Sequence, residues 1–348
     1  MGAAVNSSEE HSWWGTMMDD LGLNYDNYSF DEYYGYEEGD ICDPEEGVKL
    51  GEEFIPILYS VTFIVGILGN GLLLGVLIKR RKIWSVTDTF ILHLAVADIL
   101  LLVTLPFWVA QSASGWLFGT LLCKITGSVF TINFYCGIFL LAFICMDWYL
   151  FIVHSTKMFM PKKPWVVHAC CVVVWIFSLL FSIPDWVFLE DARNERRENK
   201  FECIRNFYIF DLDAQTHKMV ARGLFHTFGF VLPSVVLIFC YSSILCKLWC
   251  FPKGLQKQRA FKTITAVVAV FFLCWTPFNI TLMVDTFKPI TSAGPGCART
   301  ALDIVLTVTF ALGVFHCCLN PILFILVDVK FRCQVLNMWK KTSESAVF

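Results

Sequence analysis

The sequence predicts an all-α membrane protein, a seven-transmembrane helix bundle with a short amphipathic helix after the last span. Three observations predict it. Of the 348 residues, 56% are hydrophobic and only 16% are charged, against about a quarter in soluble domains. Seven apolar stretches run at roughly 54–79, 88–113, 121–153, 165–188, 219–249, 261–287 and 299–327, each long enough as a helix to cross a hydrocarbon core of about 30 Å. The short connectors between them carry an excess of Lys and Arg on one side only.

Residues 1–53 come before the first span. They carry fifteen Asp and Glu but one lysine, Lys49, and show no apolar period, so a disordered acidic tail is expected. The rest of the chain is basic, and an acidic tail on a basic body suits a cationic partner. The first forty residues do not read as a signal peptide, so the first span is expected to act as its own insertion signal. Asn6 and Asn27 open two glycosylation sequons in this tail, Asn6-Ser7-Ser8 and Asn27-Tyr28-Ser29, as suits an extracellular segment. Tyr25 and Tyr28 stand among acids such as Asp26 and Asp31, a setting for tyrosine sulfation.

The spans occupy 54–327. Connectors with Lys79, Arg80, Arg81 and Lys82, with Lys157, Lys162 and Lys163, and with Lys253, Lys257, Arg259 and Lys262 alternate with connectors lacking that excess. The basic side is assigned to the cytoplasm. That puts the N-terminus outside and the C-terminus inside, as seven spans require. The third span is apolar on all sides and ends in Asp147-Trp148-Tyr149; the other six are expected to arrange around it. The last segment, 328–348, holds Phe331, Val335, Leu336 and Trp339 at helical spacing among basic residues. It is expected to lie along the inner membrane surface.

An ionisable side chain inside a span is costly and marks function by default. Asp98 is the clearest case, and Asn70, Asn133 and Asn320 are the polar residues able to join it. Pro106, Pro184, Pro233, Pro277 and Pro321 each remove a helical hydrogen bond. Static bends are expected at the first two, and moving parts at Pro277 and Pro321. Most of the fifteen cysteines lie in apolar runs and should pack as small hydrophobes. Cys123 and Cys203 fall on the outer side, where a bridge would contribute roughly 4 kcal/mol in the chain-entropy treatment. Cys42 and Cys297 are the second expected pair.

Two other classes fit poorly. A transporter predicts related halves with interrupted helices, and the seven spans show no repeat. An enzyme is not expected, because the seven histidines are scattered without metal-ligand or nucleophile–base spacing. No phosphate-binding glycine motif occurs, and no nucleic acid partner is expected.

Gly69-Asn70, Leu94-Ala95-Val96-Ala97-Asp98, Trp175, Pro233, Tyr241, Cys274-Trp275-Thr276-Pro277 and Asn320-Pro321 together resemble the rhodopsin-like G-protein-coupled receptors. Thr104-Leu105-Pro106 and His316-Cys317-Cys318-Leu319-Asn320-Pro321 narrow the resemblance to the chemokine-receptor family, whose two disulfides the four outer cysteines match. Phe54-Ile55-Pro56-Ile57-Leu58-Tyr59-Ser60, Thr87-Asp88-Thr89-Phe90 and Ile183-Pro184-Asp185 look most like its type 3 CXC members.

The resemblance implies a plasma-membrane receptor for a CXC chemokine, in contact with membrane lipid. The acidic tail would capture a basic ligand, and Trp108, Asp185, Asp285 and Asp303 would face it in the helical cavity. Ile138, Pro233, Phe271, Trp275 and Pro277 would transmit its arrival. A sodium ion at Asp98, Asn133 and Asn320 is the one implied cofactor.

Two positions depart from the family pattern. Asp-Arg-Tyr reads Asp147-Trp148-Tyr149, and the tyrosine of Asn-Pro-x-x-Tyr reads Phe324 after Asn320-Pro321. Tryptophan has one N–H donor and no charge, so it cannot act as the family's arginine does. Phe324 cannot make the contact expected with Tyr241. An atypical receptor is expected, one that internalises ligand through endosomes, with arrestin as a partner and G protein coupled weakly or not at all. The alternative is a signalling receptor that drives chemotaxis through an inhibitory G protein.

Overall fold

The computed structural model describes residues 44–79, 85–154, 164–194, 200–208, 213–250, 255–287 and 296–327, together with 332, 333 and 335. The side chains of residues 44–52, 164, 194, 255–260, 263–264, 296–300 and 325–327 lie outside that description. So do Asn6, Tyr25, Asn27, Tyr28, Cys42 and most of the helix expected at 331–341.

Among the described residues, ten α-helices and one hairpin follow in order: α1 Pro44–Lys79, α2 Val86–Leu102, α3 Leu105–Ser114, α4 Gly119–Ile152, α5 Pro164–Phe181, α6 Ile183–Phe188, β1 Leu189–Asn194, β2 Lys200–Arg205, α7 Ala214–His226, α8 Leu232–Cys250, α9 Leu255–Phe287 and α10 Gly296–Val327. They supply seven helical segments long and apolar enough to cross a membrane, as the sequence predicts. Two thirds of the apolar window of α4 is buried, more than in any other span. The third span is therefore the central one.

The prolines explain the breaks. Pro106 and Pro184 sit in the first turns of α3 and α6, so the second and fourth spans are each two helices meeting at an offset. At the first break the Leu101 carbonyl accepts from both the Thr104 hydroxyl at 2.7 Å and the Thr104 backbone N–H at 2.9 Å. Pro233 follows a five-residue π turn, Thr227–Val231, because widening the helix takes the preceding carbonyls off the proline ring. Pro277 and Pro321 stay inside the continuous helices α9 and α10.

Pro321 has no N–H for the Cys317 carbonyl four residues earlier. Asn70 of α1 supplies the missing donor, its Nδ2 lying 2.9 Å from that oxygen and 3.0 Å from the Gly66 carbonyl. Glycines allow the closest approaches. A Cβ at Gly69 would stand 2.7 Å from the Pro321 ring, and one at Gly313 would stand 2.7 Å from the Trp275 indole.

β1 and β2 pair antiparallel, with Asp191 opposite Cys203. The Cys123–Cys203 disulfide ties β2 to the first turn of α4. Trp116 closes the junction: its backbone N–H donates to the Phe201 carbonyl at 2.6 Å and its indole N–H to the Gly119 carbonyl at 2.9 Å. Gly115 before it has φ of 85° and lies against the Phe201 carbonyl, a backbone state that only glycine adopts without strain.

Candidate ligand cavity and relay

At the disulfide end, α4, α6, β2, α7 and α9 surround a cavity of about 540 Å³, counting its open mouth. Its apolar wall comes mainly from Phe130, Tyr135, Phe181, Phe225 and Phe278, and its charge from Asp185, Arg205 and Arg222. Asp185 is buried. It accepts from the Arg205 Nε at 2.7 Å and from the Thr131 hydroxyl. Asp285 accepts from the Arg222 guanidinium, and the Lys218 ammonium lies 3.4 Å from the same carboxylate oxygen. The same lysine donates to the Asp285 carbonyl at 2.7 Å.

Two of the acids expected to meet ligand are thus held by the chain's own cations. Asp303 is exposed near the same end of α10. Trp108 is half-buried, 5.7 Å from Trp116 between ring centroids. The Cys123–Cys203 bridge forms as expected, while the Cys42–Cys297 pair lies outside the described residues.

Arg205, Arg222 and Lys218 escape sequence reasoning as partners. A signal for two of them was present. Lys218 and Arg222 are four residues apart, so they share one helix face. Both open an otherwise apolar span, where cations as well as acids mark function.

Below the cavity lies a packed aromatic cluster. Trp275 is fully buried, 4.7 Å from Phe134, 6.1 Å from Phe271 and 5.4 Å from the His316 ring between centroids. Ile138, Phe271 and Pro233 are all buried. Every expected transmission residue at this level lies in the core, Pro277 excepted, whose ring is half-buried in α9.

Next comes Asp98, fully buried. Asn133 donates to one carboxylate oxygen at 3.0 Å and Asn320 to the other at 2.8 Å. Asn70 serves the Cys317 carbonyl instead and does not join this cluster directly. His316 turns its Nδ1 to the Gly313 carbonyl at 2.6 Å and its Nε2 toward Asp98 at 3.9 Å. Asp98, His316 and Cys317 offer ligand atoms all within 4.8 Å of one another. Their carboxylate and imidazole fit a small cation. Asn133 and Asn320 now present their NH₂ groups, so each must rotate its amide to offer oxygen.

At the opposite end, Asp147 is buried, and neither its Oδ1 nor the indole N–H of Trp148 has a hydrogen-bond partner among the described residues. Trp148 packs edge-on to Phe151 at 6.1 Å. The Tyr149 hydroxyl is 3.1 Å from His154 Nε2. The Tyr241 hydroxyl is buried near Thr265, and Phe324 is buried with no hydroxyl to offer.

Comparison with known proteins agrees with this architecture. The family described as 7 transmembrane receptor (rhodopsin family) matches residues 69–324. The chain is 39% identical to the C-X-C chemokine receptor type 3 of Rattus norvegicus, over 92% of this chain and 86% of the relative. It is 41% identical to the Homo sapiens receptor of that type, over 88% and 83%. It is 34% identical to the C-X-C chemokine receptor type 5 of Rattus norvegicus, over 94% and 93%.

Proposed function

The chain belongs to the rhodopsin family of seven-transmembrane receptors, as a chemokine receptor and not an enzyme, and from that premise we propose that it captures CXC chemokine at the plasma membrane and internalises it, with little G-protein signalling. The N-terminus is outside, the disulfide end takes the ligand, and the Trp148 end faces the cytoplasm. The acidic tail, sulfated at Tyr25 and Tyr28 and glycosylated at Asn6 and Asn27, steers a basic ligand onto the cavity by long-range attraction. The ligand's N-terminal amine then competes with Arg205 and Arg222 for Asp185 and Asp285, and the exposed Asp303 adds a third carboxylate at that end. The receptor cycles through endosomes with arrestin as its cytoplasmic partner.

One observation carries the reading. Trp148 stands where the family pattern has arginine, half-buried beside a buried Asp147. An indole cannot offer a partner protein a cationic five-donor fork. Phe324, which has no hydroxyl to offer Tyr241, weakens the same end further. Sodium at Asp98, Asn133 and Asn320 belongs to the same reading as a stabiliser of the unliganded bundle.

The test is a panel of CXC chemokines on cells expressing the receptor, with ligand uptake and G-protein dissociation read together. Uptake with no dissociation is expected, and dissociation should emerge in a Trp148→Arg variant. Dissociation equal in parent and variant would establish instead a signalling receptor coupled to an inhibitory G protein.

A further inference from the structure

The fifth span presents a stripe of exposed side chains along one face: Val235, Ile238, Phe239, Leu245 and Trp249. With exposed Ser242 between Phe239 and Leu245, they lie at positions that recur every three to four residues along one helix face. The opposite face, with Pro233, Leu237, Cys240 and Ile244, is buried in the bundle. An apolar stripe on a membrane-crossing helix faces acyl chains. At its last two turns the stripe includes Cys246 and Cys250, one helical turn apart and both exposed.

That exposure sets them apart. Of the eleven free cysteines among the described residues, seven are buried and one is half-buried; the exposed ones are Cys246, Cys250 and Cys333. Cysteine as a packing residue belongs inside. The level is also telling. The Phe239 ring is 5.6 Å from that of Tyr149 in the Asp147-Trp148-Tyr149 stretch. At 1.5 Å per residue, Cys246 and Cys250 lie roughly 10 and 16 Å further along α8. Lys247 between them and Trp249, 90% exposed, are the side chains of a membrane–water boundary.

We propose that Cys246 and Cys250 are sites of S-acylation by a long-chain fatty acid. The cysteine thiolate adds to the carbonyl of a fatty acyl–coenzyme A thioester. The bond from that carbonyl to the coenzyme A sulfur breaks, and coenzyme A leaves as the thiol with the proton the cysteine gave up. A new thioester replaces the old one and no electrons are exchanged. Each chain then lies along the stripe from Leu245 back to Ile238, which is already apolar and needs no rearrangement. Juxtamembrane cysteines undergo this modification reversibly. Here it would add two anchors to the helix end beside Trp148. The inference stands whether or not the receptor signals.

Acyl groups on the full-length receptor from cells are exchanged for mass tags after hydroxylamine cleavage, in the parent and in Cys246→Ser, Cys250→Ser, the double variant and Cys333→Ser. Each single serine variant is expected to lose one tag and the double variant two, with Cys333→Ser leaving both in place. Peptide mass mapping of the unaltered receptor across residues 246–250 gives the same answer without any substitution, should a variant fold poorly. A double variant with as many tags as the parent, or a parent peptide without acyl mass, would overturn the proposal.

Discussion

The Arg205 guanidinium lies 2.7 Å from the Asp185 carboxylate, joining the end of β2 to the first turn of α6 across the mouth of the cavity. The acid is almost wholly buried and the arginine is not: their side chains are 6% and 41% exposed. Removing the arginine leaves a buried charge without its main partner, with Thr131 as the remaining donor. A fully buried pair broken this way costs about 3–5 kcal/mol. Solvent reaches Arg205, so about 1–2 kcal/mol is expected for Arg205→Ala. Thermal unfolding in detergent should show the loss, and a second change, Asp185→Asn, should recover most of it. Additive losses would mean the two side chains are not coupled.

The Asp285 cluster predicts opposite effects from its two sides. Arg222→Ala should free carboxylate for an incoming amine and tighten binding of a basic ligand several-fold. Asp285→Ala should weaken it by tenfold or more, which corresponds to about 1.4 kcal/mol. Ligand binding to the two variants at one ionic strength checks the signs. Effects in the same direction would show that the cluster acts through stability alone.

Gly313 lets α10 pass against the Trp275 indole. Gly313→Ala places a methyl 2.7 Å from that ring, and such overpacking costs about 1–3 kcal/mol. The unfolding temperature should fall. Gly71 has open space where its Cβ would be, so Gly71→Ala serves as the neutral control.

Asn70 predicts a loss that comes from a stranded acceptor. Asn70→Ala strands the Cys317 carbonyl that Pro321 has already deprived of its helical donor. A buried acceptor left unsatisfied costs about 1–3 kcal/mol. Restoring the donor from the other side, with Pro321→Ala in the same chain, should recover part of it. Unfolding temperatures of the single and double variants measure the coupling.

Asp213 supplies the pH dependence. It caps α7, accepting from the Gln215 backbone N–H at 3.0 Å and the Thr216 hydroxyl at 2.7 Å. The Thr216 hydroxyl first, and then the Gln215 N–H, hold its carboxyl below the usual carboxylate range. A folded value below the unfolded one means the stabilisation is present above the unfolded value and lost as pH falls through the folded one. Amide exchange at the start of α7 should speed up on acidification into that range. Asp213→Ala should exchange fast at every pH, and an unchanged pH profile in that variant would remove the cap from the account.

The sequence by itself determined the seven spans, the breaks at Pro106 and Pro184, and the family. These are local properties: apolar length, a missing N–H, and the identity of a side chain. It also marked Asp98, Asn133 and Asn320, because polar atoms are expensive inside a membrane wherever they point. Only the tertiary structure decided which charge meets which. Asp285 and Arg222 lie 63 residues apart in the chain, and Asn70 reaches a carbonyl 247 residues away. No local period encodes such pairings. They are set by how helices of similar hydrophobicity rotate and slide against one another, and that same rotation buries Cys240 while turning Cys246 and Cys250 to the outside.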